Sequence, residues 1–414
     1  MDTSGKGLPA NNLAVPAPAH RGEQHSTWAG YSAAGPNAGA VATLGPLITE
    51  VQSLGVRVEA PMEEGRRGGA GPADAGMIWI EGIPVTFPHV SGFVSSSPYI
   101  LRREEREGWG VYRDGRRLAS ATLPARPSFY DLQTADGIPY WKIALLHLDS
   151  LASTVIQTCV YWGNQDQCQF CAIETSLEGG RTIAVKKPEQ LAEVALAAKE
   201  LDGAVDVTLT TGTTRGPDKG ALYVGRCARA VKQATGMPVQ AQFEPPDDYS
   251  VFEALRDLGV DTVGIHVESF DQRVLDRVAP AKGRTGVDGY FRAWERAVEV
   301  FGRGQVSTYV ILGMGEDPEL TVESCKRAVD VGVYPFVVPL RPSAGSLLEP
   351  ALPPEPEYVK SVYRRVAPHV LASGLESARV KAGCARCNAC SAMSAFEGRP
   401  HGANRRTLPV LQAR

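Results

Sequence analysis

The second half of the chain alternates between apolar runs of strand length and longer amphipathic stretches. Six such runs come after about residue 150: STVIQT, VDVTLTT, PVQAQFE, DTVGIHV, QVSTYVIL and YPFVVPL. Between the first two, Pro188 suits a first helical turn and Gly203 follows the helix end, and residues 317–332 repeat this pattern. Strands that alternate with helices predict a parallel sheet with helical crossovers. Six units in a row favour a partial or full (β/α) barrel over an open doubly wound sheet.

A mixed pattern precedes this region. LITEVQSLGV predicts a short helix closed by Gly55, whereas MIWIEGIPVTF and WGVYRDGRRLASATL alternate as strands do, with a hairpin turn at Asp114-Gly115. The Gly- and Arg-rich stretch EEGRRGGAGPADAG between them predicts a mobile surface loop. The expected organisation is a flexible tail over residues 1–45, an α+β domain over 46–150, a barrel over 151–375 and a Cys-rich segment over 376–414.

Composition and charge narrow the classes of function. With 43% apolar and 21% charged residues the chain is typical of soluble globular proteins, and a net charge of -3 gives no basic field for nucleic acid. No apolar run approaches the ~18 residues that a spanning helix needs. The N-terminus also lacks the order of basic, apolar and small residues found in secretory signals. We therefore expect a cytoplasmic protein that binds neither nucleic acid nor membrane.

The cysteines are clustered. Six of the eight form two compact triplets: Cys159, Cys168 and Cys171, then Cys384, Cys387 and Cys390. In a cytosolic chain such clusters hold metal more often than they form disulfides. Cys227 and Cys325 stand alone on predicted helices, and we interpret them as inert core or boundary residues.

The first triplet has the arrangement of an open metal site. Cys159 follows the first strand of the barrel, so Cys168 and Cys171 lie in the first strand-to-helix loop, at the rim where barrel chemistry collects. No histidine lies in or near that loop, and soft thiolates favour iron–sulfur or zinc. Three thiolates leave one metal position open. A [4Fe-4S] cluster so held exposes one iron to a chelate such as S-adenosylmethionine (SAM), whose reductive cleavage gives a 5'-deoxyadenosyl radical.

These features resemble the radical SAM superfamily, and within it the biotin synthase-like branch. The stretch CQFC matches the second half of the C-x3-C-x-aromatic-C motif, with Phe170 at the aromatic position. The first spacing departs from the motif, because eight residues separate Cys159 from Cys168. The resemblance implies a [4Fe-4S] cluster on the first triplet, SAM as cofactor, and a low-potential electron donor such as ferredoxin or flavodoxin.

The resemblance also assigns cofactor contacts strand by strand. The segments that carry it are TLTTGTT after the second strand, GIHVES on the fourth, YVILGMGE on the fifth and VPLRPSAGS on the sixth. It implies contacts with the methionine amino group near Gly212, with the ribose at Glu268 and with the SAM carboxylate at Arg284. The full implied set is Phe170, Thr211, Gly212, Thr213, His266, Glu268, Arg284, Gly313 and Glu316.

Two further features bear on the branch. Biotin synthase has a cysteine where this chain has Ser307, so biotin synthase activity itself is not expected. The N-terminal block with RRGGAGPADAG, joined to a barrel and a Cys-rich end, is similar to a bacterial radical SAM family whose genes accompany a nitrilase. That similarity implies a small-molecule substrate in nitrile or nitrogen metabolism.

The second triplet, in GCARCNAC, has the C-x2-C-x2-C spacing that opens a ferredoxin cluster motif. We expect a second [4Fe-4S] cluster here, on a segment that folds back over the rim. Structural zinc with His401 or His369 as fourth ligand, and uncoordinated thiols, are the alternatives.

Two other classes of protein compete with a radical SAM enzyme. HVE at 266–268 and CNAC at 387–390 mimic the elements of a zinc nucleobase deaminase, but they lie about 120 residues apart and no proline precedes Cys387. A non-catalytic iron–sulfur or zinc-binding protein would need no cofactor contacts on several strands, so the motifs disfavour it.

Overall fold

The computed structural model describes residues 38–59 and 75–398. Most of the predicted tail, most of the Gly- and Arg-rich loop and His401 lie outside the described residues. The helices are α1 (Ala38–Leu54), α2 (Tyr140–Ile143), α3 (Thr175–Glu178), α4 (Pro188–Asp202), α5 (Ala221–Thr235), α6 (Val251–Asp257), α7 (Gln272–Val278), α8 (Pro280–Phe301), α9 (Pro318–Val331), α10 (Pro356–Ala372), α11 (Cys384–Cys387) and α12 (Met393–Phe396). The strands are β1 (Arg57–Val58), β2 (Ala75–Ile80), β3 (Ile83–Pro88), β4 (Tyr99–Glu104), β5 (Gly108–Arg113), β6 (Arg116–Thr122), β7 (Leu145–His147), β8 (Ser150–Ile156), β9 (Asp206–Thr211), β10 (Val239–Gln242), β11 (Thr262–Gly264), β12 (Val306–Leu312) and β13 (Val333–Pro339).

The larger sheet is a curled half-barrel. Its strands are ordered β13-β12-β11-β10-β9-β8-β7; those from β8 to β13 pair in parallel and β7 pairs antiparallel with β8. The spatial order follows the chain order without a reversal, so every crossover proceeds in the same direction, as in a barrel and unlike a doubly wound sheet. The six predicted strands and the partial barrel are confirmed. Strands β7 and β13 lie at the two edges of this sheet and do not pair with each other, so the barrel is open.

Local sequence signals fix the ends of the barrel helices. Helix α4 begins at Pro188 and ends at Asp202, directly before Gly203, whose φ of 69° is left-handed. Helix α9 begins after Asp317, whose side chain accepts a hydrogen bond from the Leu320 backbone N–H at 2.9 Å. Both helices therefore start and stop where the sequence predicts, and each delivers the chain to the next strand of the half-barrel.

The smaller sheet has the order β1-β4-β5-β6-β2-β3. Strands β5 and β6 form the predicted hairpin, with left-handed φ angles of 52° at Asp114 and 75° at Gly115, as a type I' turn requires. Gly55, with φ 73°, ends α1. The mixed α+β character of this part of the chain is confirmed, whereas the boundaries at 45, 150 and 375 remain predictions.

The buried core is continuous between the two sheets. One cluster of buried side chains includes Ile48 of α1, Val85 of β3, Val263 of β11 and Tyr363 of α10. Because the core crosses from the smaller sheet to the half-barrel, the two are held by one apolar interior.

Candidate active site

The first cysteine triplet lies at the carboxyl end of the first parallel strand. Cys159 lies three residues after the end of β8, and its backbone N–H donates to Oε1 of Glu174 at 3.0 Å. The next residue, Val160, donates to the backbone oxygen of Thr213 at 3.0 Å, and the Cys171 N–H donates to the Cys168 oxygen at 3.0 Å. These bonds fold the loop against the end of β9, at the rim where the sequence predicts a site.

The three thiols are half-buried, and Cys171 interacts electrostatically with both Cys159 and Cys168. Burial and the nearby Cys159 both act to raise the pKa of Cys171, which reaches about 12. Burial also raises the pKa of Cys168, on which Cys171, Glu244, Glu268 and Lys282 all act electrostatically. Metal ligation requires thiolates, so these buried thiols need a positive metal centre to lose their protons.

The donor set of this loop fits an iron–sulfur cluster. Within residues 38–59 and 75–398, no group of three or more His, Cys, Asp and Glu side chains is placed to hold a metal ion. A [4Fe-4S] cubane carries four irons between its ligands and so takes thiols that are more widely spaced than those around one tetrahedral ion. The three thiols of this loop are soft donors of the type that such a cluster takes.

Gly212 allows the end of β9 to approach the cysteine loop. A Cβ atom at this position would lie 2.0 Å from the backbone oxygen of Thr158, directly before Cys159. The Gly212 N–H donates to the oxygen of Ile156 at 2.8 Å. Thr213 hydrogen bonds to the Cys159 thiol through its backbone and its side chain. The predicted segment therefore lies beside the first thiol, and its contact with SAM remains a prediction.

Glu268 is paired with a lysine that sequence reasoning missed. Nζ of Lys282 lies 3.1 Å from Oε1 of Glu268 and donates to the His266 backbone oxygen at 2.6 Å. The two side chains are only 9% and 11% exposed. Burial raises the pKa of Glu268, and Lys282 opposes that rise. Lys282 thus provides a fixed positive charge next to both Glu268 and Cys168.

The backbone at Glu268 is held in a rare conformation. Its φ of 68° is left-handed, which costs a residue with a Cβ roughly 1–2 kcal/mol. Two hydrogen bonds to β12 compensate: Glu268 N–H donates to the Tyr309 oxygen at 3.0 Å and its own oxygen accepts from Ile311 at 2.8 Å. Non-glycine residues forced into this region often occur at functional sites.

His266 contacts different groups from Glu268. Its Nδ1 accepts a hydrogen bond from the Tyr309 backbone N–H at 3.1 Å, and its ring packs edge-on against the Tyr309 ring at 4.7 Å. Burial lowers the pKa of His266 to about 3, so the ring is neutral with its proton on Nε2. Within the described residues this Nε2 is buried and has no hydrogen-bond partner.

Arg284 is near the site but exposed. Its side chain is 60% exposed, and Nη1 donates to Oδ1 of Asp166 in the cysteine loop at 2.6 Å. This pair links the start of α8 to the loop between Cys159 and Cys168. Its predicted contact with the SAM carboxylate remains a prediction.

Glu316 closes the turn after β12. Oε1 accepts from Gly313 N–H at 2.8 Å and from the Tyr358 hydroxyl at 2.7 Å, and Oε2 accepts from Met314 N–H at 2.8 Å. A cavity of about 340 Å³ adjoins this turn and is lined by Gly313, Glu316 and Tyr358 among others. Phe170 packs against the small apolar cluster that contains Met314. Gly313 and Glu316 thus follow the carboxyl end of β12, and their contact with the cofactor remains a prediction.

The second cysteine triplet does not lie at this rim. Gly383 N–H donates to Oδ2 of Asp206 at 2.8 Å, and Oγ1 of Thr262 donates to the Ala382 oxygen at 3.2 Å. Both partners lie at the amino-terminal ends of their strands, so the expectation that the segment folds back over the rim is wrong. The physical reason is a pair of salt bridges: Arg386 binds Asp206 at 2.6 Å and Asp149 at 2.8 Å, both at the amino-terminal end of the half-barrel.

The alternative of structural zinc at the second triplet has two candidate histidine ligands, His369 and His401. Nε2 of His369 lies 2.7 Å from Oδ1 of Asp330, on the contact between α10 and α9. That contact engages a carboxylate and not a cysteine thiol. His401 lies outside the described residues.

Comparison with known proteins identifies the central segment. Residues 162–328 match the family model of the radical SAM superfamily, a range that contains Cys168, Cys171 and Glu268 and begins just after Cys159. Bacteriochlorophyllide c C-7(1)-hydroxylase of Chlorobaculum limnaeum is 26% identical over 131 residues, 31% of this chain and 32% of that protein. The alignment thus spans about a third of the curated relative.

Several solved structures are similar at low identity. Methylornithine synthase (PylB) aligns with a TM-score of 0.41 and 19% identity over 53% of this chain and 62% of that chain. A radical SAM methyltransferase from Sphaerobacter thermophilus gives 0.41 and 15% over 57% and 69%. The maturase HydG from Carboxydothermus hydrogenoformans gives 0.39 and 18% over 53% and 51%. Among the described residues, no helix combines the length and apolarity needed to cross a bilayer.

Proposed function

Because residues 162–328 match the family model of the radical SAM superfamily, we propose that this chain cleaves SAM reductively and uses the resulting radical on a small-molecule substrate. Cys159, Cys168 and Cys171 are the ligands of the [4Fe-4S] cluster in this proposal. Superfamily membership implies both that cluster and SAM as cofactors. When bound, they supply a 5'-deoxyadenosyl radical that abstracts hydrogen from unactivated carbon.

The main support for the proposal is that the cysteine loop lies next to the buried Lys282–Glu268 pair. Lys282 acts electrostatically on Cys168 and bonds Glu268 at 3.1 Å, so both groups belong to one site. Lys282 favours the ionised form of Glu268, and an ionised carboxylate accepts hydrogen bonds from hydroxyl groups strongly. We assign Glu268 to the ribose of SAM on this basis.

The remaining assignments follow from position. Gly212 and its neighbours Thr211 and Thr213 bind the methionine end, because Thr213 contacts the Cys159 thiol and the glycine leaves its backbone close to the loop. Arg284 binds the SAM carboxylate, and Gly313 and Glu316 form the adenine side of the site. His266 is the second member of the polar pair with Glu268 that binds the cofactor.

The finer identity is also proposed. The chain belongs to the biotin synthase-like branch, in the family associated with a nitrilase, and its substrate is a small molecule of nitrile or nitrogen metabolism. It works in the cytoplasm with ferredoxin or flavodoxin as electron donor. Cys384, Cys387 and Cys390 hold a second [4Fe-4S] cluster; structural zinc is the competing occupant.

Spectroscopy and metal analysis test these assignments together. Anaerobically purified protein is expected to contain about eight irons per chain, four for each [4Fe-4S] cluster. Addition of SAM is expected to change the electron paramagnetic resonance spectrum of the reduced first cluster. The Cys168→Ala variant is expected to lose that response, whereas Cys227→Ala, which alters a buried cysteine of α5, keeps it.

Two outcomes separate the parts of the proposal. A spectrum that responds to SAM in Cys168→Ala contradicts the assignment of the first triplet. One equivalent of zinc with about four irons contradicts the second [4Fe-4S] cluster and leaves the first intact.

A further inference from the structure

Two glutamines of β10 hold the first cysteine of the C-terminal triplet. Gln242 donates from Nε2 to Sγ of Cys384 at 3.2 Å, and also to Oε1 of Gln240 at 2.7 Å. The same Oε1 accepts the Cys384 backbone N–H at 3.2 Å. Both glutamines are buried. Alternate residues on one strand therefore bind the backbone and the thiol of one cysteine.

The fit around this cysteine is tight. Gly383 has a φ of 95°, and a Cβ atom there would lie 2.0 Å from Oε1 of Gln240. Burial raises the pKa of Cys384 to about 11, and hydrogen bonds from Tyr309 and Gln242 to its sulfur oppose that rise. Barrel side chains thus surround the sulfur of a residue more than 70 positions after the last of these strands.

A chain of contacts joins this cysteine to the first triplet through the barrel. Tyr309 neighbours Cys384 and packs its ring against His266 at 4.7 Å. Lys282 donates to the His266 oxygen at 2.6 Å and acts electrostatically on Cys168. One cysteine of each triplet, Cys384 and Cys168, therefore lies at an end of this chain of contacts.

We infer that Gln242 is a positioning residue of the second iron–sulfur centre, which opens on the barrel interior, and that its hydrogen bond to Cys384 raises the reduction potential of that centre. The inference rests on the proposed second cluster. Its physical basis is that a reduced cluster carries one more negative charge, which an N–H donor to a ligand sulfur stabilises.

The decisive experiment isolates the second centre. In a full-length Cys159→Ala, Cys168→Ala, Cys171→Ala background, iron binds only at the C-terminal triplet. A redox titration followed by electron paramagnetic resonance then measures the reduction potential of this centre in the protein that retains Gln242 and in its Gln242→Leu variant. The leucine keeps the bulk of the side chain and removes the hydrogen-bond donor. Ser307→Ala is the matched control, because Ser307 bonds Gln240 at 3.3 Å and is not hydrogen bonded to a cysteine sulfur in the described part of the chain.

We expect about four irons per chain in all three proteins and a more negative potential only in Gln242→Leu. Gln242→Glu, which replaces the donor with an acceptor and adds charge, is expected to shift the potential further in the same direction. Equal potentials in Gln242 and Gln242→Leu overturn the inference.

The absence of iron in this background also overturns it, together with the second cluster. That result leaves the first cluster untouched, because the SAM response of the wild-type protein tests it separately. A variant that loses iron through misfolding is recognised by its circular dichroism, and Gln242→Glu then supplies the comparison of potentials.

Discussion

Removing the positive charge of Lys282 is expected to destabilise the protein and weaken SAM binding. The Lys282–Glu268 pair is 3.1 Å long and about nine-tenths buried at both ends. At an effective dielectric constant of about 20, a pair at this distance gains about 5 kcal/mol of Coulomb energy. Breaking a buried pair by removing one partner typically costs roughly 3–5 kcal/mol, because the other charge is left without compensation. We expect Lys282→Met to lower the free energy of unfolding by that amount at pH 7.5.

The pH dependence of this loss has a defined sign. Without Lys282 the folded-state pKa of Glu268 lies further above its unfolded value than it does in the wild type, where burial already raises it. The folded state then binds a proton that the unfolded state releases, so the variant loses stability as the pH rises above about 4.3. The Lys282→Met, Glu268→Gln double variant has no such carboxylate and is expected to recover most of the loss.

Anaerobic urea titrations of the four proteins of this double-mutant cycle, at pH 5 and pH 8, measure the interaction. SAM affinity is measured in parallel, and both Lys282→Met and Glu268→Ala are expected to weaken it by roughly 1.5–3 kcal/mol, the scale of a lost charge-assisted hydrogen bond. Additive effects on stability, or a Lys282→Met variant whose free energy of unfolding lies within about 1 kcal/mol of wild type at both pH values, would show that this pair does not stabilise the protein.

Three further changes test other parts of the account. Gly383→Ala is expected to lose the iron of the second cluster, because the new Cβ would lie 2.0 Å from a buried side-chain oxygen. Gly236→Ala, at a φ of 69° with open space around it, is expected to keep that iron. Equal iron contents in the two variants would contradict this prediction. Arg284→Ala is expected to lower the free energy of unfolding by less than about 1 kcal/mol but to weaken SAM binding. Asp166→Asn is expected to leave SAM affinity unchanged. Equal SAM affinities of the two variants in calorimetry would contradict the assignment of Arg284 to the SAM carboxylate. Lys186 is fully buried, and burial lowers its pKa to about 7. The free energy of unfolding is therefore expected to rise with pH between about 7 and 10.4, by on the order of 1 kcal/mol per pH unit. Lys186→Met is expected to abolish this slope, and a flat profile for the wild type would contradict it.

Local signals were sufficient to predict most of the half-barrel. Proline and glycine positions set the ends of α4 and α9, and Asp114-Gly115 specified a hairpin, because these residues act through the backbone next to them. The position of Cys159 at the rim of the half-barrel could be predicted because it follows the apolar run that forms β8. In each case the relevant physics lies within a few residues of the signal.

The contacts that sequence reasoning missed are all long-range. Lys282 carries no mark of its role in the sequence, because its partner Glu268 is reached only when the start of α8 folds over the end of β11. The position of the C-terminal triplet depends on Arg386 meeting Asp206, 180 residues earlier in the chain. The sequence does show Arg386 as the basic residue of the otherwise neutral segment GCARCNAC. This indicates a buried ion pair but does not specify which acidic residue binds the arginine.

The most direct test of the central claim is the formation of 5'-deoxyadenosine from SAM by the reduced, anaerobically purified protein. The account predicts that wild type and Cys227→Ala form it together with methionine, and that Cys168→Ala and Cys171→Ala do not. Retention in Cys159→Ala alone contradicts only the role of that thiol, which stands at the unusual spacing. Formation of 5'-deoxyadenosine at the wild-type rate by both Cys168→Ala and Cys171→Ala contradicts the claim that this loop holds the cluster.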